Sequence, residues 1–435
     1  MLIRFSLENF MSFAEKAEMS LIASKERQHG DRVAHIKKFS FRLLPIAAIY
    51  GGNASGKTNL FRAISFAKRF IVSGTQLDHF IPVEPYRLNN ELSQKPSGFR
   101  FEIYIDGQIY EFGFSTDKKQ VHTEWLTLLN PRSETPLYKR EMDKMVYWDA
   151  SLKDDQFMQF AFQGTRSNQL FLTNSVFQKV ERFMPVYRWF RDTLELIAPD
   201  TRFQDFGRFI HEDNPLYASM NGALSKLDTG ITRLGGESVP WDQLPIPDEL
   251  KSKILETLPE GSSGVIESID SRIVITKEKD GMTAKRLSGF HMDESEKEMR
   301  IEYRYESDGT RRVIDLLPAF LTLEEPKTSM KVFIIDELDR SLHTLMTRGL
   351  IEGFLSSCTD IPRGQLLFTT HDVQLMDQSL FRRDEMFVVE RTAQGRSHLV
   401  AFSDFNDVRY DKDIRKSYLQ GRLGGIPRIP ELIRE

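Results

Sequence analysis

Eight consecutive residues, Gly51-Gly52-Asn53-Ala54-Ser55-Gly56-Lys57-Thr58, satisfy every fixed position of the spacing G-x-x-x-x-G-K-[ST]. Those residue types in that order suit one task, cradling a chain of phosphates. Glycines let the backbone curl into a nest whose N–H groups point inward, and a following helix N-terminus adds positive potential. Asn53, Ala54 and Ser55 supply loop amides, with Gly56, Lys57, Thr58 and Asn59 at the helix entry. Lys57 is expected to reach the β- and γ-phosphates, and the Thr58 hydroxyl to ligate Mg²⁺. A nucleotide with Mg²⁺ is the ligand this loop implies.

Further chemistry-bearing residues lie far downstream. Lys331-Val332-Phe333-Ile334-Ile335-Asp336-Glu337 reads as a fully buried strand ending in two carboxylates. The carboxyl ends of such strands are where open α/β sheets place ligands. Asp336 is expected to hold the Mg²⁺ that Thr58 also touches, and Glu337 to orient or deprotonate the attacking water. Glu306-Ser307-Asp308-Gly309-Thr310 precedes a helical run whose apolar positions are 313, 314, 316, 317, 320 and 321. Ser307 is its natural N-cap, which leaves amides facing an anion. Gln365-Leu366-Leu367-Phe368-Thr369-Thr370-His371-Asp372 is another apolar strand, with His371 at its end and within reach of a γ-phosphate.

The intervening elements must position these groups. Leu44 to Tyr50 is apolar enough for a buried strand, and Leu60, Phe61, Ile64, Ala67 and Ile71 recur at helical spacing after the loop. Phe101 to Phe112 alternates around Asp106-Gly107, a two-residue hairpin signal that pairs Ile103 with Tyr110 and Phe101 with Phe112. From about Asp154 to Leu258 the pattern is mainly helical. Val186-Tyr187-Arg188-Trp189-Phe190 sets aromatics beside basic residues, a pattern that serves either a core or base stacking. Gly235-Gly236-Glu237 through Pro247 reads as a loop, and Ser271 to Thr283 as a return to strand. No heptad pattern is sustained across the roughly 250 residues between Thr58 and Ser307, which argues against a long coiled coil.

Bulk properties narrow the classes. A net charge of −4 and a pI near 6.2 give no global electrostatic case for wrapping nucleic acid. A single cysteine, Cys358, excludes internal disulfides and cysteine-based zinc sites. No apolar run approaches the ~20 residues that span a bilayer, and Met1 to Glu8 lacks the features of a signal peptide. A cytoplasmic location without membrane partners is expected.

In order, these motifs resemble the ABC-type ATPases, within them the SMC/RecF/OLD-like branch. The resemblance implies an α/β P-loop NTPase fold of ABC type, with a mixed sheet core, a β-hairpin-rich arm and a helical insertion lobe. It makes Lys57 and Thr58 the Walker A pair, Asp336 the Walker B acid, Glu337 the hydrolytic glutamate, Asp339 the D-loop residue and His371 the switch histidine. Ser307, Asp308, Gly309 and Thr310 become the signature segment, which in this family closes over ATP held by a second subunit. Two departures stand out: Asp308 replaces the usual glycine, and no Q-loop glutamine is located. Leu7-Glu8-Asn9-Phe10-Met11-Ser12-Phe13 resembles the first strand and turn of that branch, and Ser341-Leu342-His343, Phe368-Thr369-Thr370-His371-Asp372 and the tail from Lys416 to Pro427 narrow the resemblance to abortive-infection ATPases of the RloA/AbiLi kind, related to the ATPase of PARIS defence systems.

The layout this implies is a first core part (1–80), a β-rich arm (81–150), a mainly helical lobe (151–300), a second core part (301–400) and a docking tail (401–435). About 64 residues follow His371, short for an appended Toprim nuclease. The expected protein is thus a homo-oligomeric ATP-hydrolysing switch controlling a separate effector nuclease or toxin, such as a Toprim-type protein, with a phage trigger protein or nucleic acid as a further partner. A RecF-like DNA-repair ATPase and a non-hydrolysing ATP-bound scaffold are the alternatives. A transporter subunit fits poorly, since the insertions do not suit docking to membrane loops.

Overall fold

The computed structural model describes residues 1–153, 155–200, 206–210, 214–244, 246–267, 272–325, 330–405, 413–422 and 424–425. Asp154 and Ser271, which bound two expected segments, and Leu423, Ile426 and Pro427 of the tail motif lie outside them. The chain divides into two units, Met1–Pro199 with Thr328–Leu338 and Leu355–Glu435, and Asp200–Lys327 with Asp339–Phe354.

The first unit is built on a six-stranded sheet in the order Leu194–Ile197, Val332–Ile335, Gln365–Thr369, Ile46–Tyr50, Met386–Arg391, Ser397–Ala401. All neighbours are parallel except the last pair. Every residue of Ile46–Tyr50, Val332–Ile335 and Gln365–Thr369 is buried, which is why those stretches read as unbroken apolar runs. In register, Ile335 stands beside Phe368 and Thr369 beside Ile49. The loop after Tyr50, the carboxylates after Ile335 and His371 therefore leave the sheet at one edge.

A second, antiparallel sheet of seven strands runs from Lys144–Trp148 through the hairpin strands to Leu2–Glu8 and Ala17–Ser20. Its hairpin turns at Asp106-Gly107, both at positive φ, with Phe101 opposite Phe112 and Ile103 opposite Tyr110. Helix Lys57–Ser73 buries Leu60, Phe61, Ile64, Ala67 and Ile71 as its spacing predicts. Its Phe66 ring meets Phe10 at 5.9 Å and Phe99 at 5.2 Å, and Phe70 meets Phe114 at 5.6 Å. The helix that carries Lys57 is thus locked to the antiparallel sheet by aromatic packing.

Several expectations need correction. Residues 151–300 are not one helical lobe. The stretch to Pro199 belongs to the first unit, where Leu194–Ile197 forms the edge strand beside Val332–Ile335. Tyr187, Trp189 and Phe190 are buried, with Phe190 edge-on to Phe101 at 5.0 Å, so these aromatics build core and leave no face for a base. The β-rich arm is likewise not confined to 81–150, because Leu2–Glu8 pairs directly with Ser97–Ile105.

The second unit carries five strands, among them Arg233–Ser238, Arg272–Glu278 and Gly281–Met292, beside helices Pro215–Leu224, Asp248–Thr257 and Asp308–Glu324. Gly235, Gly236 and Glu237 lie in a strand rather than a loop, paired with Ser288, Leu287 and Arg286. A side chain at Gly235 would meet the Phe290 ring, which Arg233 covers at 3.6 Å. Two glycines in a row mimic a loop signal but here serve cross-strand packing. Arg272 anchors the unit: fully buried, it bonds Asp315 at 2.5 Å and lies against Phe206 and Tyr303. Among the described residues no helix is long and apolar enough to cross a membrane.

Candidate nucleotide site

The loop between Tyr50 and Lys57 turns into the helix through Gly56, the N-cap, at φ +118°. A Cβ there would collide with Ser397 Oγ and stand 2.8 Å from Ser12 Oγ, so only glycine fits. Those two serines form a brace under the loop. The Ser397 amide donates to the Ser12 carbonyl at 2.7 Å, and Ser397 Oγ lies 2.5 Å from the Ser55 carbonyl and 2.8 Å from Ser12 Oγ. Asn59 Nδ2 donates to Ser12 Oγ at 2.8 Å. One hydroxyl proton serves one acceptor, so a consistent chain runs from Asn59 through Ser12 and Ser397 to the Ser55 carbonyl. On the loop's outer side, Arg391 Nη1 donates to the Ala54 carbonyl at 3.3 Å. Asn53 and Ala54 are exposed and Thr58 is half-buried in the first helical turn.

Lys57 is buried, with Nζ donating to the Gly51 carbonyl at 2.7 Å and the Gly52 carbonyl at 3.3 Å. The same nitrogen lies 3.3 Å from His371 Nδ1. An ammonium has no lone pair, so Nδ1 accepts and the ring proton sits on Nε2. Nε2 in turn stands 4.0 Å from Glu337 Oε1. Lys57, His371 and Glu337 are therefore neighbours along the carboxyl edge of the sheet.

Asp336 and Glu337 share a partner that the sequence does not advertise. Thr369 Oγ1 donates to Asp336 Oδ1 at 2.6 Å and accepts from the Glu337 amide at 2.8 Å. Glu337 adopts φ +52°, a left-handed backbone that costs a non-glycine residue roughly 1–2 kcal/mol. The Thr369 bond helps hold it there, with the Glu337 side chain about one-third exposed. Asp336 is buried, and among the described residues its Oδ2 has no hydrogen-bond partner. A buried carboxylate oxygen left in that state is costly unless a cation or its water meets it. With the Thr58 hydroxyl, the donor set is all oxygen, the chemistry of a hard divalent ion such as Mg²⁺.

Ser307, Asp308, Gly309, Thr310 and Asp339 belong to the second unit. Ser307 caps helix Asp308–Glu324, accepting from the Thr310 amide at 3.0 Å, while the Asp308 carboxylate is engaged by Arg311. A Cβ on Gly309 would lie 2.8 Å from the Ser341 carbonyl, so the backbone just after Asp339 packs against the signature segment. Thr369 sits inside a quoted motif, but its role needs the register of two strands. Ser397 carries no local signal at all, since its partners lie more than 340 residues away in sequence.

A family model described as "AAA domain, putative AbiEii toxin, Type IV TA system" matches residues 46–377, a span holding every motif residue from Gly51 to His371. Among solved structures the chain is similar to the "SMC head domain from Thermotoga maritima", with 12% identity, a TM-score of 0.37, and 92% of this chain and 98% of that one covered. It is also similar to the "SmcHead bound to the C-winged helix domain of ScpA", with 13% identity, a TM-score of 0.38, and 92% and 97% covered. No curated protein matches.

Proposed function

The chain belongs to that AAA-domain family, and from this premise we propose that it is a switch that binds ATP in one state and hydrolyses it to reach another. The observation that carries this reading is the convergence of Lys57, Asp336, Glu337 and His371 on one sheet edge, linked by contacts of 2.6–4.0 Å through Thr369 and the histidine ring. Amides of the Asn53–Asn59 loop and the Lys57 ammonium bind the phosphates. Thr58 and Asp336 would hold Mg²⁺, which would supply positive charge against the phosphate oxygens. Glu337 aligns a water on the γ-phosphorus and takes its proton as the new P–O bond forms. The bond to the bridging oxygen breaks, leaving ADP and inorganic phosphate. His371, holding its Nε2 proton toward Glu337, keeps that carboxylate in place and reports the state of Lys57.

Ser307, Asp308, Gly309 and Thr310 serve the nucleotide of a second copy, their capped helix end presenting amides to its γ-phosphate, with Asp339 and the Ser341 backbone behind them. Nucleotide occupancy then sets how copies pack. The family description, with its toxin and toxin–antitoxin terms, supports an output in anti-phage defence, where the switch holds or releases a separate nuclease or toxin.

The test is steady-state phosphate release by the purified chain, with titration of a fluorescent ATP analogue. Glu337→Gln is expected to keep analogue binding while turnover drops roughly 100-fold or more, the usual weight of a positioned base. Lys57→Ala is expected to lose binding itself. A Glu337→Gln protein that hydrolyses ATP near the parental rate removes Glu337 from the reaction. A parental chain that binds but never releases phosphate makes the protein a scaffold.

A further inference from the structure

Residues 413–422 and 424–425 have no part in the reaction above, yet they reach to the phosphate loop. The Gly52 amide donates to the Gly425 carbonyl at 2.8 Å. The same carbonyl accepts from the Tyr418 hydroxyl at 2.9 Å. Tyr418 is buried in helix Ile414–Leu419, and its ring meets Phe402 edge-on at 6.4 Å. Phe402 meets Tyr50, the last residue before the loop, at 6.2 Å. Gly424 and Gly425 are both left-handed, at φ +69° and +71°. A Cβ on Gly425 would collide with Val388 Cγ2 and lie 3.1 Å from the Tyr418 ring, so the turn approaches the sheet as closely as a chain can.

Helix Ile414–Leu419 also borders the segment just beyond His371. Val373 and Gln374 share an open groove with Arg415, Lys416 and Leu419. The tail therefore touches both the loop that would hold phosphate and the segment that follows the strand-end histidine.

Gly51 and Gly52 are the costliest residues of the loop to order, because glycine loses the most backbone freedom on being fixed. A carbonyl held by Tyr418 and aimed at the Gly52 amide orders that arm of the loop in advance, and a site ordered before its ligand arrives binds it more tightly. We propose that Tyr418 and Gly425 are positioning residues of the phosphate loop, so that docking of the Asp413–Gly425 tail and nucleotide binding are thermodynamically coupled. This rests on the nucleotide reading given above. Coupling is reciprocal: whatever the docked tail adds to ATP affinity, bound ATP adds to tail docking. A partner or modification that pulls the tail away would thereby weaken ATP binding without touching Lys57.

Hydrogen–deuterium exchange on the full parental chain, with and without ATP, reads the coupling directly. Peptides spanning 413–425 should gain protection when ATP is added and show none of that gain in Lys57→Ala. In parallel, Gly425→Ala should weaken binding of a fluorescent ATP analogue by roughly 5- to 150-fold, the usual span of coupling between two sites. Tyr418→Phe, which removes one hydroxyl and keeps the ring, should weaken it less, with the melting temperature nearly unchanged. Arg422→Ala, an exposed change just beyond the same helix and outside that groove, should stay within about twofold of the parent. If the parent binds ATP while its tail exchanges identically in both states and Tyr418→Phe binds as the parent does, the coupling is wrong and the nucleotide reading stands. A parent that binds no ATP overturns both.

Discussion

At the scale of single residues, Thr369 is the most instructive. It is buried in a strand, and its hydroxyl donates to the Asp336 carboxylate and accepts from the Glu337 backbone amide at the neighbouring strand end. The bond to the Asp336 carboxylate, a hydrogen bond to a charged group, contributes about 1.5–3 kcal/mol, equivalent to roughly 10- to 100-fold in rate where the geometry serves catalysis. Thr369→Val keeps the shape and removes both bonds. Phosphate release by this variant should fall roughly tenfold or more, while its melting temperature shifts by a few degrees at most. Turnover within twofold of the parent would mean that Asp336 and Glu337 are held by other means. The motif residues beside it behave as their types require. Lys57 has carbonyl partners where a buried ammonium needs them, and Asp336 keeps one oxygen for a cation.

At the scale of elements, the loop is held from pieces that chain order scatters. Its C-terminal arm rests on Ser12 and Ser397, its N-terminal arm on the tail. Near the other end of strand Met386–Arg391, a buried ion cluster ties the 3₁₀ turn Gly30–Arg32 to the turn Arg383–Glu385. Arg32 bonds Glu385 at 2.5 Å, and Arg382 grips Asp384 and the Glu26 carbonyl. Burial pushes the Glu385 carboxyl up to about 7 against the pull of Arg32, with Asp384 adding to the rise. The folded chain thus keeps a proton that the unfolded chain has released above the ordinary glutamate range. This group's stabilising contribution is complete below about pH 4.5 and is lost as pH climbs through about 7. The unfolding free energy from urea titrations should therefore fall between about pH 5 and pH 7 by on the order of 2–3 kcal/mol, and Glu385→Gln should flatten that slope whatever it does to the stability itself. An unchanged slope would place the titration elsewhere.

At the scale of the whole molecule, the motif residues divide between the two units. The Gly51–Thr58 loop, Asp336, Glu337 and His371 lie in the first unit, and Ser307–Thr310 with Asp339 lie in the second. A signature that serves another copy predicts self-association governed by nucleotide. In sedimentation velocity, Glu337→Gln with ATP and Mg²⁺ should shift toward a dimer or a larger assembly. Without nucleotide, or with Lys57→Ala, the protein should remain in its smaller form. Identical sedimentation under all conditions would remove the second copy from the site.

What the amino-acid order determined alone is what depends on short-range pattern. The phosphate loop with its flanking strand and helix, the buried strands before Glu337 and His371, the Asp106-Gly107 hairpin and the Ser307 cap each rest on contacts within a few residues, so spacing and side-chain type suffice to read them. Tertiary structure decided what depends on meetings across the chain. Residues 194–197 became a core strand because Val332–Ile335 offered them a parallel edge, and Gly235-Gly236 became a strand because Phe290 and Lys285 needed room to cross it. Tyr187, Trp189 and Phe190 went inside because burying a ring outweighs what its basic neighbours would gain beside a nucleic acid. Ser12, Ser397, Thr369 and Gly425 came to serve the site in the same way. Hydrogen bonding is set by distance in space, and no local pattern records which distant residue the fold will bring within three ångströms.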